Sequence, residues 1–410
     1  MRLGGSLALP IPAGFQFFHS FRGAGVGCPE PAGPTPKADA FCPSTEGNPN
    51  GRRKAHDIRL PMRYNPHFKK EAPSMRRLVL LLAVCAFGFS AETKKILLES
   101  SDPDLVKELQ SASSKAIVIP ITDKNVMQEI GDADAFIGDI RPEEVRAGKK
   151  LQWVQVMSAG VEGVLHLSGG NDLRDSKIIL TNNQIVQGPE IADHAMSLLL
   201  MLSRHLYTFY EHKRHELWQS PRPYPGIELN GRTAVIIGVG GIGTQIAFRA
   251  WAHGMSVIGV DPEDIPYMPV IKKIVKPDQL DEVLPEADVV FVSAPHTPLS
   301  HKMMGARQFE LMKKDSYFIA VSRGKVYDMN SLVKALERKH LAGAGVDVTD
   351  PEPLPKGHPL WKFENVIITP HIAGRSDKDR GRMVGTIKEN IRRFVEGQPL
   401  LNVVDKQKGY

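Results

Sequence analysis

Cysteine is scarce in this 410-residue chain, and its placement is lopsided: Cys28, Cys42 and Cys85 all precede residue 92. Everything after that point therefore lacks a disulfide, a thiol nucleophile and a cysteine metal site. Net charge is also scarce where it would matter. The formal +6 arises at the front, where residues 1–74 hold ten Lys/Arg against five Asp/Glu and Arg76 and Arg77 add two more. The remaining residues, 78–410, carry a formal −1, so they need no basic face and a nucleic-acid partner is not expected. Long apolar runs are absent too. The longest, Leu78–Phe89, has twelve residues, too few for a stable membrane span.

Residues 1–74 contain eleven prolines, frequent glycines and no sustained apolar period. They are expected to be a disordered or non-native extension. Met75-Arg-Arg, the apolar run and the small residues around Ser90 and Ala91 have the layout of a signal peptide over 75–91. Export to the periplasm is one expectation for location and the cytoplasm the other.

From Lys94 onward, short apolar runs at 96–98, 116–119, 135–137, 153–157 and 178–180 alternate with helix-compatible stretches, which predicts a parallel α/β layer. Ser158-Ala-Gly160-Val161-Glu-Gly163 follows one of these strands, at the edge where ligands sit in open α/β sheets. The apolar faces of 190–206 predict a long buried helix. The proline-bearing stretch 214–226 predicts a loop or arm.

The most informative stretch is Thr233–Asp261. The run Thr233–Ile237 breaks into Gly238-x-Gly240-x-x-Gly243. A helical segment follows over 244–251, and the second run, Val257–Val260, ends in Asp261. Gly238 suits a tight turn, Gly240 lets backbone N–H groups approach a pyrophosphate, and Gly243 lets the helix pack on the strand. Asp261, 18 residues past Gly243, is placed to bind both hydroxyls of an adenosine ribose. A carboxylate there repels a 2′-phosphate, and Pro262-Glu263-Asp264 offers no cation, so NAD is expected over NADP. Further runs at 289–292, 317–321, 344–348 and 366–368 complete an expected six-stranded doubly wound sheet, and 377–396 predicts an amphipathic helix. Arg323, Glu352 and His371 each follow a predicted strand of this second unit, so all three should meet at the sheet edge that holds the cofactor. No metal site is expected.

These features resemble the D-isomer-specific 2-hydroxyacid dehydrogenases. The likeness covers about residues 94–402. It is carried by Gly-Val-Gly-Gly-Ile-Gly at 238–243, Pro-His-Thr-Pro at 295–298 and Val-Ser-Arg-Gly at 321–324. It continues in Gly-Val-Asp-Val at 345–348, Pro-Glu-Pro-Leu at 351–354 and Thr-Pro-His-Ile-Ala-Gly at 369–374. The resemblance implies a Rossmann-type doubly wound parallel sheet plus a second, discontinuous flavodoxin-like α/β substrate domain. Residues 92–196 and 376–410 would form the substrate domain and 197–375 the NAD-binding domain. It implies catalytic Arg323, Glu352 and His371, with Arg323 on the substrate carboxylate and His371 protonating the carbonyl. Glu352 would orient the ring and favour imidazolium. Gly238, Gly240, Gly241, Ile242, Gly243, Asp261, Pro295, Val321 and Asp347 would hold NAD, with Asp347 on the nicotinamide carboxamide. The Gly160–Val161 backbone would receive the substrate carboxylate.

Ala320 stands where many members have Asn, and Asp193 replaces the commoner Glu. Glu352, not Gln, argues against the formate dehydrogenase branch, and nothing after residue 402 offers the regulatory domain of the longer serine-pathway enzymes. The implied activity is hydride transfer between NAD(H) and a small D-2-hydroxy or 2-oxo acid, by a homodimer with the 214–226 arm across its partner. The competing expectation is an NAD(H)-sensing scaffold of the corepressor type. An exported enzyme would have to carry its cofactor tightly bound. Which acid is used stays open, because the side-chain pocket comes from loops that the sequence does not place.

Overall fold

The computed structural model describes residues 93–167 and 170–410, all within one compact unit spanning Cys85–Tyr410. The expected extension over 1–74 and signal-like segment over 75–91 lie outside the described residues.

Two all-parallel sheets form the frame. The first contains β1 (Lys94–Glu99), β2 (Ala116–Ile121), β3 (Ala135–Ile137), β4 (Trp153–Gln155) and β5 (Ile179–Thr181), in the order β2-β1-β3-β4-β5. That is the flavodoxin-like order. The strands are β-branched and apolar because helices cover both faces, so neither side alternates with water. Ile96, Leu98 and Trp153 pack on one face against Val384, Ile387 and Ile391 of the Asp379–Val395 helix. Trp153 also meets Phe394 of that helix at 5.2 Å between ring centroids. A helix far along the chain thus completes the layer begun at residue 94, which makes this α/β unit discontinuous.

The second sheet contains β6 (Thr233–Ile237), β7 (Ser256–Val260), β8 (Lys273–Val275), β9 (Val289–Val292), β10 (Ser316–Ala320), β11 (Leu341–Val346) and β12 (Val366–Ile368). Their order is β12-β11-β10-β9-β6-β7-β8. Read from β6, this is the Rossmann order with one added strand at the far edge. The strand count is seven where the apolar runs predict six. The unexpected strand, β8, is a partly exposed edge strand, and Lys-Ile-Val flanked by lysines has no buried run to betray it. The order reverses between β6 and β9, so the loops after these two strands diverge and open a crevice.

The Gly188–Ser203 helix joins the sheets, and the expected boundary at 196/197 falls inside it. It buries Ile191, Ala195, Leu198, Leu199 and Leu202 in the core that also holds Ile236 and Phe291. Its apolar pattern suggested continuation to residue 206, but the chain turns at His205, where φ is +52°. A separate Leu206–Arg214 helix follows. Residues 215–229, which include all of the expected 214–226 arm except Arg214, form no regular element. No helix among the described residues is long and apolar enough to cross a membrane.

Candidate functional site

The crevice begins at the turn after β6. Gly238 has φ +88°, and a Cβ there would lie 2.6 Å from the Ala294 backbone. A Cβ on Gly243 would lie 1.9 Å from the Gly238 carbonyl oxygen, so only hydrogen fits where the helix meets the strand. Gly240 is different, since a Cβ there would meet nothing within 4 Å. Its backbone faces open space at the N-terminus of the Gly241–Ala252 helix, where N–H groups and the helix dipole attract anions. Gly241 lies under Ile185, and Ile242 packs partly buried on the core behind.

Asp261 ends β7 almost wholly buried. Its Oδ2 accepts from Val239 N–H at 2.7 Å and its Oδ1 from Glu263 N–H at 2.9 Å. The carboxylate thereby ties the glycine turn to the loop after β7, and each oxygen keeps a further lone pair for a hydroxyl. The sequence places no cation beside this acid, but the fold does. Lys276 Nζ bonds Asp264 at 2.7 Å and Lys408 Nζ bonds Glu263 at 2.6 Å. Both ammonium groups are already paired with a carboxylate. Beside the glycine turn runs the loop after β9, where Ser293 Oγ donates to the Gly238 carbonyl at 2.7 Å and Ser300 Oγ donates to the Pro295 carbonyl at 2.6 Å. Val321 is buried in the core at the end of β10. A pyrophosphate and a ribose thus find donors, acceptors and room along this crevice, and the residues fit a dinucleotide.

Arg323, Glu352 and His371 leave the ends of β10, β11 and β12 and converge at one edge. Glu352 Oε2 sits 2.8 Å from His371 Nδ1, while its Oε1 accepts from Thr349 N–H at 2.9 Å. The carboxylate is held by backbone and faces one ring nitrogen, leaving Nε2 for solvent or a ligand. His371 is reachable, with 46% of its side chain exposed. Its loop is fastened from behind by Asp347. This 2%-exposed carboxylate accepts from Thr369 Oγ1 at 2.5 Å and from the Ile372 and Ala373 N–H groups at 3.0 Å each. His194 Nε2, 2.9 Å from Thr369 Oγ1, supports the same knot. The geometry therefore gives Asp347 a structural task that its motif alone does not reveal: it positions the His371 loop.

From the other side comes the loop after β4. Ser158 Oγ donates to Gly160 O at 2.7 Å and Asn182 Nδ2 to Ala159 O at 2.7 Å, which shapes the turn. Val161 points into the first sheet's core, so it can offer only backbone to the crevice. Arg323 Nη1 donates to Ser322 O at 2.8 Å, and its Nε bonds Glu162. Its Nη2 lies where a Gly160 Cβ would be, at 1.9 Å. Glu162 is the partner that the sequence reading missed, because no spacing rule links residues 161 apart. Burial pushes the Glu162 carboxyl up, but the Arg323 guanidinium outweighs this and holds it below the ordinary carboxylate value. His296 is lowered by partial burial and by the charges of His301 and Lys325 nearby. No cluster of three or more metal-ligating side chains exists among the described residues.

A Rossmann sheet with an open glycine turn, a buried acid after its second strand, and an arginine and a His–Glu pair at neighbouring strand ends fits a dinucleotide-dependent oxidoreductase. Comparison with known proteins agrees. The model for the D-isomer specific 2-hydroxyacid dehydrogenase NAD-binding domain matches residues 196–373. A glyoxylate reductase from Korarchaeum cryptofilum is 31% identical over 307 residues, covering 70% of this chain and 87% of its own. A D-3-phosphoglycerate dehydrogenase from Methanocaldococcus jannaschii is 30% identical over 74% of this chain, which spans 57% of that longer protein. Among solved structures, a D-isomer specific 2-hydroxyacid dehydrogenase family protein from Aeromonas salmonicida aligns with TM-score 0.65 and 29% identity, over 77% of this chain and 99% of its own. The Xanthobacter autotrophicus family member solved with NADPH and MES aligns with TM-score 0.67 and 25% identity, over 78% and 100%.

The chain belongs to the D-isomer-specific 2-hydroxyacid dehydrogenase family. It is an NAD(P)-dependent oxidoreductase of 2-hydroxy and 2-oxo acids, and none of these relatives carries the corepressor-type reading.

Proposed function

We propose that this enzyme reduces a small 2-oxo acid of the glyoxylate or hydroxypyruvate class, with NADH preferred over NADPH. The observations that support the reading are the meeting of Arg323 with the Gly160 backbone and the Glu352–His371 pair at the ends of neighbouring strands. The bound nicotinamide supplies the hydride. Arg323 clamps the acid's carboxylate with its free Nη donors and polarises the 2-oxo group, for which a planar guanidinium fork is well shaped. The Gly160–Val161 backbone completes the carboxylate seat. His371 donates a proton from Nε2 to the carbonyl oxygen as it gains charge, and takes it back in the oxidative direction. Glu352 holds Nδ1 so that Nε2 faces the substrate. At the other end Gly238, Gly240, Gly241, Ile242 and Gly243 cradle the pyrophosphate, Asp261 takes the ribose hydroxyls, and Pro295, Val321 and Asp347 border the remainder. Lys276 and Lys408, both paired, leave a 2′-phosphate without a free cation, which supports the NADH preference.

Assembly as a homodimer is part of the same reading. Phe248 and Trp251 on the Gly241–Ala252 helix and Trp218 in the 214–226 arm are large, apolar and exposed, as a partner-covered face would be.

The test is NADH oxidation over a panel of glyoxylate, hydroxypyruvate, pyruvate, 3-phosphohydroxypyruvate and branched 2-oxo acids, with His371→Ala as control. Turnover of the smallest acids that vanishes in the variant is the expected result. Turnover confined to branched or phosphorylated acids would overturn the substrate class, and unchanged turnover in His371→Ala would overturn the site.

A further inference from the structure

Beyond the Asp379–Val395 helix, the chain does not stop at the sheet it has completed. Val403 pairs antiparallel with Thr181 at the edge of β5, and Val404 N–H bonds the Leu180 carbonyl at 2.8 Å. Lys406 then fixes the chain to the first unit. Its ammonium donates to the carbonyls of Leu173, Ser176 and Ile178 at 3.0, 2.7 and 2.8 Å. All three protons are engaged, and burial lowers the pKa of this amine. The next residues form a closed turn. Asp405 Oδ1 accepts from the N–H groups of Gln407 and Lys408, Gly409 N–H bonds Asp405 O at 2.8 Å, and Asp405 N–H bonds Tyr410 O at 3.0 Å.

This turn crosses to the other sheet. Lys408 Nζ and Tyr410 Oη both reach Glu263 Oε1, at 2.6 and 2.7 Å. Glu263 stands two residues past Asp261 and donates its own N–H to the Asp261 carboxylate. Gly409 is buried between His166 of the first unit and Thr297 of the loop after β9; a Cβ there would lie 3.3 Å from His166 Nε2 and 3.8 Å from Thr297 Cγ2. The segment thus links the first unit to two loops of the second sheet, the one after β7 that carries Asp261 and Glu263 and the one after β9.

We propose that Lys408 and Tyr410 are cofactor-positioning residues and that the segment 405–410, anchored by Lys406, is a strap across the adenosine end of the dinucleotide crevice. The inference rests on Asp261 being the ribose-binding acid. The strap fixes the Asp261 loop through Glu263 and neutralises one of its three carboxylates, which would otherwise repel the pyrophosphate. A dinucleotide can then leave only when two charge-assisted hydrogen bonds on Glu263 break, so the strap acts chiefly on dissociation.

The experiment compares the full chain with Lys408→Met/Tyr410→Phe, measuring the NADH dissociation rate by stopped-flow fluorescence and the Kd by titration. Both are expected to rise about tenfold, or 1.4 kcal/mol, while kcat/KM for the 2-oxo acid at saturating NADH stays within about twofold. Lys406→Met, which frees the anchor without touching Glu263, should move dissociation in the same direction and covers the case in which the double variant fails to fold. Dissociation within about twofold of wild type in folded variants would overturn the strap, as would tighter binding, which would mean that the segment occupies the site. Asp261→Ala separates the two readings. If it binds NADH normally, the assignment of the adenosine site fails, whatever the strap variants do.

Discussion

Gly160→Ala separates the demands of folding from those of chemistry. The added Cβ would sit 1.9 Å from Arg323 Nη2, 2.9 Å from Arg323 Cζ and 2.5 Å from Glu162 Oε2. An ordinary contact needs about 3.5 Å, so the guanidinium must retreat by about 1.5 Å. The fold tolerates this, because Gly160 does not use a left-handed φ and the atoms in the way are ends of flexible, partly exposed side chains. The reaction does not. A misplacement of about 1 Å in a group that orients substrate costs about 10²-fold. The expected result is a loss of about 10²-fold in kcat/KM for the 2-oxo acid, equivalent to about 2.8 kcal/mol. NADH affinity should be unchanged and the melting temperature within about 4 °C of wild type, a shift of under roughly 1 kcal/mol. Steady-state kinetics, cofactor titration and thermal melting check the three parts. A kcat/KM within threefold of wild type, about 0.7 kcal/mol, would refute the claim that the guanidinium beside Gly160 is the substrate clamp.

Other perturbations probe separate layers. Glu352→Gln keeps the shape beside His371 Nδ1 but removes the charge, and kcat should fall about 10²-fold with NADH affinity intact; a kcat that barely moves would strip Glu352 of its role. Phe291→Ala empties a fully buried site in central strand β9 and should cost about 3–5 kcal/mol in urea unfolding. A cost below about 1 kcal/mol would mean that the core collapses around the hole. The Asp288 carboxyl is pushed up by burial but held below its ordinary 3.8 by Thr233 N–H, Lys313 and Arg232. Because its folded value is depressed, it stabilises the fold above the unfolded value and loses that contribution as pH falls through the folded one. Asp288→Asn should therefore be less stable at neutral pH and show a shallower acid limb in urea midpoints between pH 7 and about pH 3. Parallel limbs in the two proteins would contradict this.

Most of the frame was legible because buried parallel strands must be continuous apolar runs, and eleven of the twelve observed strands coincide with such runs. β8 escaped because an edge strand flanked by lysines needs no such run. The overlong helix expectation has a similar cause: Leu206 continues the apolar pattern, but the left-handed backbone at His205 breaks it, and no residue there signals the break. Within the site, Arg323, Glu352 and His371 were readable because each ends a strand, and strand ends share one edge. What the sequence hid were contacts between distant segments. Glu162 on Arg323 and Lys408 on Glu263 follow from how the two sheets face each other, and Asp347 on the His371 loop from β11 and β12 lying side by side; no local pattern encodes either.

The two sheets also divide what this enzyme inherits. Arg323, Glu352, His371 and the glycine turn all spring from the second sheet, while the first offers the crevice little besides the Gly160 backbone and Glu162. Mutations that accumulate in residues 93–187 reshape the room around the acid's side chain while the proton donor and the glycines of the turn stay the same; within that span Ile185 packs on Gly241 and residues 173–178 anchor the 405–410 segment. Substrate range can drift in such a lineage while the redox step stays fixed. A chimera carrying a relative's residues 93–187 would take on that relative's choice of acid and keep this chain's choice of dinucleotide.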